Sequence, residues 1–211
     1  MNMLLVEGIN DKYVIQKLLK RRKIEFDNFE ILNCENVHKI LNIMPETIQL
    51  KSYEDVIGVI VDADENIADR WESIKIILKK AGYDNIPQVP DAHGTLLKDE
   101  KYELPKIGIW LMPNNQLKGR IEDFIRFLIP SEDDILPLAT NIIDDLISKE
   151  QNRFIQAHRS KAIIHTWLAW QERPGIQLGS AITFRVLKTQ EHILDDKKAS
   201  EFVEWLKELF R

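Results

Sequence analysis

Cysteine is almost absent. Cys34 stands alone in 211 residues, so the chain can form no intramolecular disulfide and no cysteine-rich zinc site. No apolar run is long enough for a membrane span. Residues Met1 to Gly8 lead directly into a short strand without a basic region, a long apolar segment or a small-residue cleavage site. Neither a signal peptide nor a membrane segment is therefore expected, and a cytoplasmic location is. No Gly-x-x-x-x-Gly-Lys-Ser/Thr occurs, which excludes a P-loop ATPase within these residues. His38, His93, His158, His165 and His192 show no ligand spacing. There is no internal repeat and no low-complexity tract. Positive charge is not in excess either. The formal charge of -5 and pI near 5.6 argue against a generally basic nucleic-acid coat, while leaving room for a local basic strip beside a metal-loaded site.

What is present suffices for one large domain, or a domain with a substantial appendage: 44% of the residues are hydrophobic, an ordinary globular share. Met3-Leu4-Leu5-Val6 reads as a strand that stops at Glu7-Gly8. Asn10 offers an N-cap to a helix carrying Tyr13, Val14, Lys17, Leu18 and Leu19. Lys20-Arg21-Arg22-Lys23 closes that helix, where cations suit the negative end of the dipole; a phosphate-binding patch is the other reading. Phe29 to Cys34 gives a second strand. Val37, Ile40, Leu41, Met44 and Ile48 recur at helical spacing, with Pro45 threatening a break. Val56 to Val61 is β-branched except at Gly58, as expected of a strand buried on both faces of a parallel sheet. Asn66 to Lys80 predicts an amphipathic helix ended by Ala81-Gly82.

Residues 84–106 lack a helical period, and Pro87, Pro90 and Pro105 mark an excursion with room for a short edge strand at Thr95-Leu96-Leu97. Ile107 to Met112 restores a buried strand, and a helix follows Gly119. Beyond Pro130 the strand rhythm stops. Helices are predicted over 135–149, 160–170 and 199–210, while 176–187 fits strand and helix equally well. The expected fold is α/β, a mostly parallel four-stranded sheet over 1–130 with a helical extension over 131–211 packed on it.

Acids follow three of the predicted parallel strands: Glu7 and Asp11 the first, Asp62 and Asp64 the third, Glu122 and Asp123 the last. Parallel strands with right-handed crossovers deliver their carboxyl ends to one edge, where ligands collect in open α/β sheets. Asp62 and Asp64 point the same way if the backbone there stays extended. So many carboxylates repel unless neutralised, and Mg²⁺ or Mn²⁺ with oxygen ligands is the natural counter-charge. Lys118 and Arg120 stand beside the last pair as candidates to bind a phosphate or stabilise a leaving oxygen, or as solvated loop cations. Glu122 and Asp123 would favour a helix dipole whatever the function. Trp167, Trp170 and Trp205 fall on apolar helical faces and read as core.

Val6-Glu7-Gly8-x-x-Asp11 with Val61-Asp62-Ala63-Asp64 resembles the Toprim signature, a glutamate after the first strand and an Asp-x-Asp after a later one. Type IA and II topoisomerases, bacterial primases, ribosomal-RNA maturases, recombination mediators and OLD-family nucleases share it. Trp110 to Asn115, Gly119-x-x-Glu122-Asp123-Phe124 and Trp205-Leu206-x-x-Leu209-Phe210 are similar to uncharacterised Toprim-like proteins related to the OLD nucleases. The resemblance implies a Toprim-like sheet, acid-base work for Glu7, and Mg²⁺ or Mn²⁺, one or two ions, on Asp62 and Asp64. It gives Asp11 and Glu122 roles in completing a two-metal site, to which Glu7 is a further candidate ligand; Lys118, from its place beside the last acids, is the candidate catalytic cation. The implied activity is metal-dependent hydrolysis of phosphodiester bonds in DNA or RNA, with a separate ATPase as partner and a homo-oligomer as a further option. The alternative is a non-catalytic Toprim module in a DNA-processing or phage-defence complex. Topoisomerase chemistry is disfavoured because Tyr13, Tyr53, Tyr83 and Tyr102 all fall within the sheet region or its excursion. The missing zinc ribbon and short chain disfavour a primase.

Overall fold

The computed structural model describes residues 2–99, 101 and 103–211; Tyr102 lies outside them. The strands β1 (Asn2–Val6), β2 (Phe29–Asn33), β3 (Val56–Asp62), β4 (Thr95–Leu97) and β5 (Lys106–Met112) form one sheet in the order β2-β1-β3-β5-β4. All pairings are parallel except that of β4, which lies antiparallel along β5. The sheet thus has five strands rather than the four expected. Thr95, Leu96 and Leu97 of the excursion pair with Ile107 to Ile109 and give β5 a partner on its outer side. The chain runs from β1 outward to β2, then returns past β1 to β3. This reversal makes the gap between β1 and β3 a topological switch point, where a crevice opens at the carboxyl ends of the strands.

The faces alternate in the way a doubly covered sheet requires. One carries Leu5, Ile57, Val59, Val61, Ile107, Ile109 and Leu111 beneath α2 (Val37–Gln49) and α3 (Ile67–Ala81). Asn36 and Asn66 cap these helices, accepting from the Lys39 amide and from the Ala68 and Asp69 amides. Gly82, with φ +102°, closes α3 in the left-handed conformation that glycine adopts most readily. Pro45 does not break α2. It sits on the exposed face, where the carbonyl deprived of its N–H partner can reach water.

The other face carries Leu4, Val6, Ile60, Trp110 and Met112. Its cover combines α1 (Ile9–Arg21) and α4 (Ile121–Leu128) with residues beyond Pro130, chiefly α6 (Arg159–Ala169), α7 (Leu178–Ala181) and α8 (Ser200–Phe210). Gly8 rather than Asn10 is the N-cap residue of α1. The helix α5 (Ile135–Ser148) packs on α6. Phe202 and Trp205 meet Trp110 at centroid distances of 5.1 and 5.4 Å, and Phe202 meets Phe124 at 5.3 Å. The paired glycines Gly58 and Gly108 lie under α8. A Cβ on Gly58 would stand 2.5 Å from Leu4 and 3.1 Å from Leu209, and one on Gly108 only 2.6 Å from Leu209. Residues 176–187 settle as the single turn α7 followed by irregular chain rather than a strand. Trp170 departs from the core expectation: it sits just past the end of α6 and is 41% exposed.

Part of the basic cluster after α1 has a structural use. Arg21 donates to the carbonyls of Ile182 (2.6 Å) and Leu194 (2.9 Å) and pairs with Asp196 at 2.7 Å. Arg22 donates to the Asp196 carbonyl (3.0 Å) and the Ser200 hydroxyl (2.8 Å). Together they tie α1 to the segment leading into α8. No described helix is long and apolar enough to cross a membrane.

Candidate active site

Glu7 leaves the end of β1, and its Oε1 accepts the Asp62 amide at 2.8 Å, bridging the gap to β3. Asp62 closes β3, and its Oδ1 accepts the Ile121 amide at 3.1 Å. That amide opens α4, so the carboxylate satisfies a donor the helix cannot and faces the positive end of its dipole. Asp11 lies in the first turn of α1 and Glu122 in that of α4, each only 5% exposed. The Asp11 carboxylate fills space above Gly8, where a Cβ would come within 2.9 Å of its Oδ2. Its Oδ1 is buried without a hydrogen-bond partner.

Proton affinities report how these acids act on one another. Burial pushes the Asp11 carboxyl up to about 7, with the charges of Glu7 and Glu122 adding to the rise and backbone hydrogen bonds opposing it. Asp62 is raised well above its ordinary value, first by burial and then by Asp11, Glu7 and Glu122. Burial also raises Glu7, against the pull of the Asp62 amide and of Arg70. Desolvation and like charge thus act in the same direction on acids delivered by separate strands. Glu7, Asp11, Asp62 and Glu122 form one electrostatic cluster at the switch point.

Asp64 behaves differently. The strand ends at Asp62, and Asp64 has a left-handed backbone, φ +53°, so the extended geometry expected to aim both carboxylates the same way is absent. Its amide and carbonyl exchange bonds of 3.0 and 2.9 Å with Gly119. Its Oδ2 takes Arg70 Nη2 at 2.5 Å and its Oδ1 takes Arg120 Nε at 2.8 Å. Asp123 accepts the Arg120 amide at 2.9 Å and the Ser160 hydroxyl at 2.5 Å, a capping and docking role. Lys118 pairs with Glu65 at 3.0 Å on the surface. It lines a cleft of about 260 Å³ with Asp64, Arg120, Arg159 and Ser160. Arg70, which the sequence pattern does not single out, lies on α3 only six residues beyond Asp64.

The donor set of the cluster is all oxygen and suits a hard divalent cation. An orphaned Asp11 oxygen beside three further carboxylates is a site short of positive charge. As the side chains stand, no group of three or more His, Cys, Asp or Glu among the described residues is arranged to hold a metal ion. Coordination would have to draw on the second oxygens of Glu7 and Asp62 together with Asp11 and Glu122.

Fold and site together define an α/β protein with a carboxylate cluster at the switch point of a mostly parallel sheet. The chain belongs to the family described as protein of unknown function DUF3226, whose model matches residues 1–211. Comparison with curated proteins and with solved structures finds no match.

Proposed function

We propose that the carboxylate cluster is the centre of a Toprim-like, metal-dependent phosphodiesterase acting on nucleic acid. The observation that carries this reading is the orphaned, buried Asp11 oxygen set among Glu7, Asp62 and Glu122. Buried like charges are costly without a counter-charge, and their position is where α/β sheets bind ligands. Mg²⁺ or Mn²⁺ held there would polarise a phosphoryl oxygen and sharpen a water nucleophile. The chain's own residues supply the rest. Asp62, Asp11 and Glu122 would hold the ion, and Glu7, whose proton affinity is raised by burial, would be the base for the attacking water. Lys118 lies at the rim, free to exchange its exposed Glu65 partner for a substrate phosphate. A separate ATPase is the partner suggested by resemblance to the OLD nucleases.

Thermal unfolding with and without Mn²⁺ tests the reading. An ion at a hundred times its Kd stabilises by about 2.7 kcal/mol, roughly 5–10 °C in Tm for a chain of this size. Asp62→Asn should remove that shift, and Glu7→Gln should remove Mn²⁺-dependent cleavage of an oligonucleotide. An equal Mn²⁺ shift in wild type and Asp62→Asn overturns the assignment. The pH dependence adds a second readout. Between the ordinary aspartate value of 3.8 and about 7 the native state holds the Asp11 proton and the unfolded chain does not. The contribution of Asp11 to the stability of the metal-free protein is fullest below that window and is lost as pH rises through it. Asp11→Asn should therefore stabilise at pH 8 and do nothing comparable at pH 4.

A non-catalytic binding module is the second reading, favoured by the engagement of Asp64 with two arginines. It predicts nucleic-acid or partner binding that is indifferent to Mn²⁺.

A further inference from the structure

We propose that Arg70 and Arg120 form a phosphate-gripping pair beside the carboxylate cluster, and that Asp64 is the residue that positions them rather than a metal ligand. The inference rests on the nucleic-acid reading above and specifies how the polyanion is held.

Asp64 takes one guanidinium on each of its oxygens. Charge-assisted bonds of this kind are among the strongest a carboxylate makes, so an ion seeking ligands would displace two of them at Asp64. At Glu7 and Asp62 it meets only single amide bonds, and at Asp11 Oδ1 none. The acids therefore divide into a cluster short of cations and one carboxylate already supplied with them.

The arginines are held as a built feature. Arg70 also donates through Nε to the Asp62 carbonyl at 2.9 Å. Their side chains are only 15% and 25% exposed. The anchor is itself fixed, because the bridge to Gly119 ties the end of β3 to the start of α4. A guanidinium presents five N–H donors, and these bonds occupy a minority of each fork. The two side chains line two recesses of about 260 Å³ each, Arg120 one with Lys118, Ser160 and Asp123, and Arg70 the other with Asn66, Ser73 and Asp69. Asp64 and Glu65 line both. A fixed guanidinium thus stands on either side of one carboxylate, and Arg70 reaches back to the Asp62 carbonyl at the edge of the acid cluster.

Chemistry requires such a feature. Glu7, Asp11, Asp62 and Glu122 would repel a phosphodiester, and the chain as a whole is acidic. Two planar guanidinium forks, already oriented, match phosphate oxygens in a way that mobile lysines do not. The ligand class is the phosphate backbone of nucleic acid, with base identity unread.

The full-length protein is tested with two independent measurements: the Mn²⁺-induced shift in Tm, and anisotropy titration of a fluorescein-labelled single-stranded oligonucleotide in EDTA. Arg70→Gln and Arg120→Gln should each weaken oligonucleotide binding at least tenfold. Arg120→Lys should recover only part of the loss, and ethylguanidinium should restore binding to Arg120→Ala. Asp64→Asn should weaken oligonucleotide binding to the same degree while keeping the Mn²⁺ shift that Asp62→Asn loses. Lys20→Gln, a surface control, should change binding less than twofold. Tm in EDTA verifies that each variant folds. If Asp64→Asn loses the Mn²⁺ shift as Asp62→Asn does, or if the arginine variants bind like wild type, the proposal is wrong. Failure of the metal reading would show separately, as a wild-type protein without a Mn²⁺ shift whose oligonucleotide binding still depends on Arg70 and Arg120.

Discussion

The two faces of the sheet are covered in different ways. Beneath α2 and α3 the cover is local, since each helix is a crossover between strands adjacent in the chain, and its core is complete within the first 111 residues. The opposite face takes α1 and α4 but is finished by α6, α7 and α8, whose residues share one continuous core with Leu4, Val6, Ile60, Trp110 and Met112. The segment beyond Pro130 is therefore the second half of the α/β sandwich. A sheet buried on both faces needs cover on both, and one crossover helix and α4 do not supply it on this side.

The comparison can be broken most directly by truncation after Pro130, which leaves every candidate acid in the chain but strips the second face. The expected outcome is aggregation or loss of a cooperative melting transition, read by size-exclusion chromatography and calorimetry. A soluble, cooperatively melting fragment would mean that the first face suffices.

A subtler difference separates one buried tryptophan of the first face from one of the three on the second. Trp71 and Trp205 are both 2% exposed, yet Trp71 Nε1 donates to the Pro87 carbonyl at 3.1 Å whereas Trp205 Nε1 is buried without a partner. Replacement by Phe removes similar volume from each. Trp71→Phe should therefore cost about 1–3 kcal/mol more than Trp205→Phe, the penalty of leaving a carbonyl unsatisfied. Urea denaturation of the pair measures it, and equal costs would show that the indole bond is idle.

At the basic cluster, Arg21→Ala should destabilise by about 2 kcal/mol through the loss of two carbonyl bonds and the Asp196 pair. Lys20→Ala should stay within about 0.5 kcal/mol, as surface changes usually do. Matching effects would return the cluster to the role of a simple dipole partner.

The sequence made the first face and the carboxylate cluster readable for one physical reason. Strand ends in a parallel sheet are delivered to a common edge, so Glu7, Asp62 and the acids after β5 can be placed together without knowing any side-chain contact. What lay beyond it was whatever depended on a local backbone departure or a distant partner. The left-handed residue at Asp64 undid the alternation assumed for Asp-x-Asp, and Arg70 entered the site only through that turn. Gly58 interrupted a β-branched run without apparent cause. A Cβ there would stand 2.5 Å from Leu4 on the neighbouring strand and 3.0 and 3.1 Å from Phe210 and Leu209, which lie far away in the chain. The short edge strand expected at Thr95-Leu96-Leu97 is present as β4, and what the sequence leaves open is its antiparallel pairing with β5.

The paired glycines Gly58 and Gly108 also bear on how the chain is made. The groove they leave in the sheet is filled by a helix that emerges from the ribosome about 150 residues after β3, a long-range closure of the kind that slows folding. Until α8 arrives, a β-branched sheet lies uncovered at its centre, where transient exposure invites association between nascent chains. Synthesis should thus be most vulnerable in the interval after β5 and before α8. Slow translation across residues 131–199 would prolong the exposure, and a chaperone that holds extended apolar surface would shorten its consequences.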